Sequence, residues 1–175
     1  MINIEAFTFD YDEVEDRIRV SGNLYNGLPA ISFWLTRKLT LKLLNAAEGL
    51  VHKTSPVIVK TPAQHKSAMA LFEHQNAELA LASAIKHRSA EKSEHPVVKE
   101  TPVTQILGRL DISYRPEKYT FKFYGIDESP LATSVVGYNE FHQLLSLMHR
   151  GALHLNWGVD QQLFVHTQSA EFTLQ

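Results

Sequence analysis

Two stretches of the sequence alternate apolar and polar residues, turn through a short polar segment and then alternate again. The first stretch covers residues 4–21 and turns at the acidic run 12–16, whereas the second turns at 115–118. The alternating residues are Phe7, Phe9, Tyr11, Ile18 and Val20 in the first stretch, and Gly108, Leu110, Ile112, Tyr114, Tyr119, Phe121 and Phe123 in the second. A period of two places alternate side chains on one face of a strand, so each stretch predicts a β-hairpin with one buried face.

A segment with helical periodicity follows each hairpin. Residues 36–53 fit a strand over their first half, but the second half does not alternate, and all its apolar residues fall on one half of a helical wheel. A helix is therefore the better account, with Thr36 as its N-cap. Residues 139–156 predict another amphipathic helix, in which Gly151 either ends the helix early or allows close packing.

A further helix is predicted between these two. The tetrapeptide Thr-Pro-Ala-Gln at 61–64 places threonine at the N-cap, proline at the first helical position and glutamine at the third, which is the pattern of a capping box. Nothing breaks the following sequence until about Arg88. Residues 89–102 have the polar, proline-containing composition of a mobile linker.

These elements predict an α+β fold. Short strands at 30–34 and 163–167 would join the two hairpins in a mostly antiparallel sheet, with three amphipathic helices, the first and third packed on one face. The chain has 175 residues, 44% of them hydrophobic, and a chain of that size can bury most of its apolar surface as one unit. We therefore expect a single domain over residues 1–175.

Composition excludes several classes of protein. The chain has no cysteine, which rules out disulfides, a thiolate nucleophile and cysteine-ligated zinc, and which fits the cytoplasm. The N-terminus lacks the basic and apolar regions of a signal peptide, and no run approaches the ~20 apolar residues that span a bilayer. We expect a soluble cytoplasmic protein that does not contact a membrane.

No local motif for chemistry is present. The phosphate loop, the dinucleotide-binding loop and the nucleophile elbow are all absent from the sequence. Among nine histidines, no two stand three or four residues apart, and the mixed pairs His74/Glu78 and His87/Glu91 are expected to be solvated. The acidic turn 10–16 fails the template of a calcium-binding loop. We expect no metal and no cofactor.

Charge is strongly segregated along the chain. Residues 1–16 carry a net charge of -6 and residues 37–66 a net charge of +5, although the whole chain has only -2. Two cations in the first turn of a helix oppose the helix dipole, so they suggest an anion-binding site. Its residues would be Thr36, Arg37, Lys38 and Thr40. The alternatives are that the helix begins later, or that these cations pair with the acidic hairpin.

Two other features bear on partners. Bases interleave with aromatic residues at 119–124, which could stack nucleic-acid bases, although period two favours a core strand. The helix from 61 to 88 has a thin, alanine-rich apolar stripe and would be roughly 40 Å long. We expect part of it to contact a second copy or another protein. The interface residues would be Leu71, Phe72, Leu79 and Ala82.

Three classes of function stay open. A non-catalytic binding or adaptor module is favoured, because no set of nucleophile, base and electrophile can be assembled from the sequence. It would act through protein–protein contacts, either with a second copy as a homodimer or with another protein. A nucleic-acid or anion-binding module would require a continuous basic face joining Arg37, Lys38, Lys42 and Lys53. An enzyme with a dispersed His/Asp/Glu site would require a pocket holding His142 or His149 beside a buried carboxylate.

Overall fold

The computed structural model describes residues 1–23, 29–88 and 103–164, with the backbone alone for Pro29 and for residues 81–88. Within these ranges the chain forms seven strands, four α-helices and one short 3-10 turn, Ala63–His65. The strands are β1 (Ile2–Ile4), β2 (Ala6–Asp12), β3 (Arg17–Asn23), β4 (Pro29–Thr36), β5 (Thr104–Arg115), β6 (Lys118–Gly125) and β7 (Pro130–Gly137). The helices are α1 (Arg37–Thr54), α2 (Pro56–Lys60), α3 (Lys66–Arg88) and α4 (Tyr138–His154).

All seven strands belong to one sheet, in the order β1-β7-β6-β5-β4-β3-β2. The contacts β1–β7 and β4–β5 are parallel, and the other four are antiparallel. The α+β class is confirmed, but the expectation of a mostly antiparallel sheet and three helices is wrong, since the sheet is mixed and the described residues form four helices. Both parallel contacts join segments distant in the chain, which local periodicity cannot detect.

The two ends of the sheet are joined by a single residue. Strands β1 and β2 stand at opposite ends of the strand order, yet only Glu5 separates them in the chain. The amide of Glu5 continues the ladder by donating to the carbonyl of Asn23 at 3.0 Å. The ring of Phe7 from β2 lies 5.9 Å from the ring of Phe123 from β6. The sheet therefore closes on itself through Glu5 and encloses a common apolar face.

The fold is built from two similar halves. Strands β2–β4 followed by α1, and strands β5–β7 followed by α4, each consist of a hairpin, a third antiparallel strand and a helix that begins without a loop. Arg17 pairs with Thr36 in the first half, as Lys118 pairs with Gly137 in the second. In the second and third strands of each half, equivalent positions are therefore related by a shift of 101 residues, from 17 to 118 and from 36 to 137, whereas the first strands are related by 103, from Asp12 to Arg115.

The core lies between the apolar face of the sheet and the helices α1 and α4. Tyr119, Phe121 and Phe123 are 0%, 2% and 5% exposed. Tyr119 stacks on Phe141 of α4 with ring centroids 4.1 Å apart. The interpretation of these strand aromatics as core is confirmed, so they cannot serve as a platform for nucleic-acid bases. The predicted packing of α1 and α4 on one face of the sheet also agrees with these contacts.

The predicted start of the first helix is confirmed, whereas the predicted start of the second is wrong. Helix α1 begins at Arg37, and the Thr36 hydroxyl accepts a bond from the amide of Leu39 at 3.3 Å, which confirms the predicted N-cap. The capping box at 61–64 is wrong, because the Thr61 hydroxyl donates backwards to the carbonyl of Val57. Thr61 ends α2, and α3 begins only after the 3-10 turn.

Helix α2 was not predicted, although its start carries a recognisable signal. The Ser55 hydroxyl accepts bonds from the amides of Val57 and Ile58, and Pro56 occupies the first helical position. Strand β7 was also missed, because Ser134 stands on its buried face and interrupts the apolar alternation. The Ser134 hydroxyl is satisfied there by donating to the carbonyl of Ile4 at 2.8 Å.

The remaining predicted elements lie partly outside the described residues. The predicted strand 30–34 lies within β4. The predicted strand 163–167 begins with turn residues at 163 and 164, and its remainder lies outside the described residues, as does the predicted linker 89–102. No described helix combines the length and apolarity that crossing a membrane requires.

Replacing Gly108 by alanine should lower the free energy of unfolding by about 1–3 kcal/mol, since an added methyl group would overfill a tight contact. The new Cβ would lie 2.4 Å from the carbonyl oxygen of Gly125, a backbone atom that cannot rotate away. Gly49→Ala is the control, because nothing lies within 4 Å of its added Cβ. It should stabilise α1 by about 0.5–1 kcal/mol. Urea denaturation measures both, and a Gly108→Ala variant of unchanged stability would contradict the close contact of β5 with β6.

Candidate functional site

A cleft of about 830 Å³ opens where four parts of the fold meet. The end of α1 and start of α2, the first half of α3, the β5–β6 turn and the start of α4 each contribute to its wall. Its lining residues are Thr54, Pro56, Glu73, Tyr114, Pro116, Glu117, Gly137, Tyr138, Asn139 and Glu140. We call it the tyrosine–glutamate cleft, because two phenol rings and three carboxylates supply most of its chemistry.

The tyrosines of the cleft are fixed by hydrogen bonds. The Tyr114 hydroxyl donates to the carbonyl of Thr54 at 3.0 Å. The Tyr138 hydroxyl donates to the Glu73 carboxylate. Burial, together with the neighbouring Glu73 carboxylate, raises the pKa of Tyr138 far above its usual range. The phenol therefore stays protonated at physiological pH, and it acts as a hydrogen-bond donor and a wall of the cleft rather than as a base.

Tyr119 lies directly behind the cleft. Its hydroxyl is 2.6 Å from the Thr54 hydroxyl, and its ring centroid is 5.2 Å from that of Tyr114. Burial is the main cause that raises the pKa of Tyr119 to about 12, so this phenol also remains neutral. A buried, hydrogen-bonded phenol holds the end of α1 against the sheet and so supports the wall that Tyr114 forms.

Three carboxylates line the cleft, those of Glu73, Glu117 and Glu140. Within the described ranges, Glu73, Glu117 and Glu140 form no ion pair with a lysine, arginine or histidine. Glu140 accepts a bond from the amide of Gly137 at 2.8 Å, which caps α4. Glu117 has a φ of 65°, an unfavourable conformation for a residue with a Cβ. Among the described residues that line the cleft, three are carboxylates and none is cationic.

A buried polar contact between α3 and α4 adjoins the cleft. Next to Glu73, His74 directs its Nδ1 at the Nδ1 of His142, with 3.0 Å between the two atoms. One turn further, Glu78 accepts hydrogen bonds from Ser146 and Arg150. His74 and His142 are 5% and 0% exposed, so the expectation that His74/Glu78 is a solvated pair is wrong. The side chains of the other mixed pair, His87/Glu91, lie outside the described residues.

Both imidazoles of this contact are held neutral. Burial, followed by the neighbouring His74, lowers the pKa of His142 to about 3. Burial also lowers the pKa of His74, although the Glu78 carboxylate opposes this shift. One ring donates and the other accepts in their shared bond, and the Nε2 of His142 has no partner among the described residues. Over those residues, no three His, Asp or Glu side chains are arranged to hold a metal ion.

Of the four residues of the predicted anion site, three lie at the surface and Thr40 is buried. Thr36 caps α1, Lys38 is exposed, and Arg37 donates to the carbonyl of Trp157 at 3.3 Å. Thr40 is 0% exposed, and its hydroxyl has no partner among the described residues. The helix terminus therefore brings the first three together at the surface and leaves Thr40 in the core, away from any ligand there.

The predicted interface residues lie on α3. Phe72 and Leu79 are 58% and 67% exposed, and Leu71 is half-buried against the core. The side chain of Ala82 lies outside the described residues. The opposite side of α3 packs on α4 through the small side chains of Ala70 and Ala77. Helix α3 thus packs on α4 with a different side from the predicted stripe, whose members Phe72 and Leu79 are exposed.

A second cavity bears on the enzyme hypothesis. It has a volume of about 380 Å³ and lies between α1 and the residues after α4. Glu48, His149 and Asp160 line it, and the described lining includes no serine, threonine, tyrosine or lysine. The Nε2 of His149 is 2.7 Å from the carbonyl of Asp160, and the Ser67 hydroxyl donates to Glu48 at 2.8 Å. The cavity offers a histidine near a carboxylate, without a nucleophilic side chain.

Sequence reasoning missed the cleft, because its walls come from positions between 54 and 140 that no local pattern connects. The signal that could have indicated the α3–α4 contact is the spacing of Tyr138, His142 and Ser146, which have a period of four and so lie on one side of α4. Comparisons with protein-family models, with curated proteins and with solved structures found no match to this chain. The function is therefore argued from the site alone.

Stability should fall as the pH drops from 7 to 5, because the unfolded chain binds protons at His142 that the folded chain does not. The folded pKa of about 3 lies below the usual 6.5, so this contribution is complete above pH 6.5 and is lost progressively towards pH 3. The expected loss is about 2 kcal/mol between pH 7 and pH 5. His142→Gln should remove this part of the pH dependence, whereas His65→Gln, at an exposed position, should keep it. Urea denaturation at both pH values measures the difference, and identical pH dependence in His142→Gln would contradict it.

Proposed function

We propose that this protein is a non-catalytic binding module of the cytoplasm that captures a basic segment of another protein in the tyrosine–glutamate cleft. The observation that carries the proposal is the set of three carboxylates, Glu73, Glu117 and Glu140, which surround a cleft without a cationic partner among the described residues. Like charges gathered at one place repel each other, and a bound cation relieves that repulsion.

The walls of the cleft favour an organic cation. The faces of Tyr114 and Tyr138 attract a cation through their π-electrons and also offer apolar surface to an alkyl chain. Pro56 and Pro116 add further apolar surface. The volume of about 830 Å³ accommodates a long side chain together with flanking backbone. A lysine or arginine side chain in an extended segment of a partner satisfies all three features.

The other functions receive less support. Arg37 is directed at a backbone carbonyl, and Lys42 and Lys53 are eleven residues apart on α1, about 16 Å along its axis. Arg109 on the outer face of the sheet pairs with Asp111 at 3.3 Å. Lys42 and Lys53 therefore share one side of α1 but do not adjoin each other, and Arg37 and Arg109 are engaged with acceptors of the same chain. An enzyme would have to use the cavity at His149, which supplies a candidate base and no nucleophile.

The proposal predicts that a fluorescein-labelled peptide of alternating glycine and arginine or lysine binds, and that a glutamate-containing counterpart does not. Glu117→Gln should weaken binding about three- to tenfold, as expected for losing one partly exposed charged contact. Glu15→Gln is the matched control, since it removes one charge from the other hairpin turn. Fluorescence polarisation measures affinity, which should decrease with added salt. Equal weakening in both variants, or no binding at low salt, would reject the cleft.

The second candidate is self-association through the outer side of α3. Phe72 is 58% exposed in the second turn of this helix, and burying such a ring stabilises an assembly. A second copy could supply the same surface through a two-fold axis, so that the two Phe72 rings cover each other. This homodimer would leave the tyrosine–glutamate cleft available, because Glu73 enters the cleft from the side of α3 that faces Tyr138.

Sedimentation equilibrium at micromolar concentration should therefore show a dimer that Phe72→Glu converts to a monomer of unchanged thermal stability. The stability should be unchanged because the side chain contributes little to the fold of its own chain at this exposure. Val14→Glu is the control, since Val14 is 95% exposed in a hairpin turn and should leave the dimer intact. A wild-type protein that sediments as a monomer would exclude this assembly.

A further inference from the structure

The two halves of the fold place an acidic residue at the same point of each hairpin. Asp16 immediately precedes β3, and Glu117 immediately precedes β6. Both have positive φ angles, 49° for Asp16 and 65° for Glu117. The first residues of the following strands pair equivalently, Arg17 with Thr36 and Lys118 with Gly137. The two turns therefore present a carboxylate in matching positions beside the start of a helix.

In the first half, the space between this turn and the helix start is filled. Trp157 follows α4 and is 2% exposed. Its indole Nε1 donates to the Asp16 carboxylate at 2.5 Å, and its carbonyl accepts from Arg37 at 3.3 Å. The planar indole of Trp157 thus fills the space between the turn and the start of α1, and the Asp16 carboxylate accepts its in-plane N–H.

In the second half, the equivalent space is open. When the shift of 101 residues from β3–β4 to β6–β7 is continued through the helices that follow, Pro56 corresponds to Trp157, and its small ring lines the tyrosine–glutamate cleft instead of filling it. Tyr138 stands where Arg37 stands in the first half, so the cationic side chain of that half is also missing. Among the described residues, the second half therefore has neither the planar N–H donor nor the cation at these positions, and it keeps the carboxylate of Glu117.

We infer that the cleft is specific for the guanidinium group of an arginine side chain, an inference that rests on the proposed function. A guanidinium is planar and cationic and carries N–H donors in its plane, so it supplies in one group what Trp157 and Arg37 supply in the first half. It stacks on a phenol face and donates to a carboxylate at the ring edge at the same time.

The positions of the acceptors distinguish arginine from lysine. Glu73, Glu117 and Glu140 come from α3, the β5–β6 turn and α4, so they approach the cleft from three elements. Five N–H donors in a fixed fork reach acceptors on several sides, whereas an ammonium is a compact, strongly hydrated charge that gains little from a flat aromatic wall. Tyr114, which is 37% exposed and held by its bond to Thr54, supplies such a wall.

The test is a titration of the whole protein with L-argininamide and, separately, with L-lysinamide, two probes of equal charge. Backbone amide shifts of Tyr114, Glu117 and Glu140 report binding in the cleft, and we expect a dissociation constant at least fivefold lower for argininamide. Tyr114→Leu should reduce this ratio towards one, because it keeps apolar bulk and removes the stacking face. Glu117→Gln should weaken argininamide binding, while Glu15→Gln should leave it unchanged.

The possible results separate the inference from the function on which it rests. Equal affinity for the two amides, with shifts at the cleft residues, would overturn arginine specificity and leave the capture of basic segments in place. Shifts at the cleft from neither amide, or shifts confined to other surfaces, would overturn both. A preference for argininamide that survives Tyr114→Leu and Glu117→Gln would also overturn the inference, because the discrimination would then arise elsewhere.

Discussion

The arrangement of the helices and the cleft depends on the buried side chain of Tyr119, which contacts both α1 and α4. Its ring is stacked on Phe141 of α4, its hydroxyl meets the Thr54 hydroxyl at the end of α1, and it belongs to the central hairpin of the second half. A phenol without solvent exposure is stable only when its hydroxyl has a partner. This one side chain therefore fixes the ends of two helices against the sheet, and the cleft opens beside it.

The repetition of two similar halves explains both the closure of the sheet and its asymmetry. In each half, an antiparallel unit of three strands leads directly into a helix, and the halves join through parallel contacts. Such a repeat would give two equivalent clefts if the segments after the helices were alike. They are not, because Trp157 fills one place and Pro56 lines the other. The difference between a closed and an open site thus depends on the residues that follow α1 and α4.

The polar contact between α3 and α4 shows how charged groups are accommodated near the core. Glu78 is bonded to Ser146 and Arg150, while His74 and His142 share one hydrogen bond as neutral rings. Burying these groups costs free energy that their mutual bonds largely offset. Their geometry fixes how α3 lies on α4 and so where Glu73 enters the cleft. The buried hydrogen bonds between α3 and α4 therefore position Glu73 in the tyrosine–glutamate cleft without lining the cleft themselves.

Local pattern was sufficient for elements whose stability is local. The two hairpins and their registers follow from period two, and the start of α1 follows from the Thr36 cap, because side-chain alternation and capping act within a few residues. Local pattern failed at β7, where the polar Ser134 is buried because the distant carbonyl of Ile4 accepts its hydrogen bond. It failed again at 61–64, where Thr61 caps the C-terminus of α2 instead of starting the next helix.

The sequence by itself determined the class of the fold, the core faces of the hairpins and the absence of any cysteine chemistry, since these depend on composition and on neighbours in the chain. Only the tertiary structure decided that the sheet is mixed and closed, that His74 meets His142, and that Glu73, Glu117 and Glu140 surround one cleft. The reason is physical. Contacts between residues far apart in the chain depend on how whole elements pack, and packing is set by the summed burial of many side chains rather than by any local spacing.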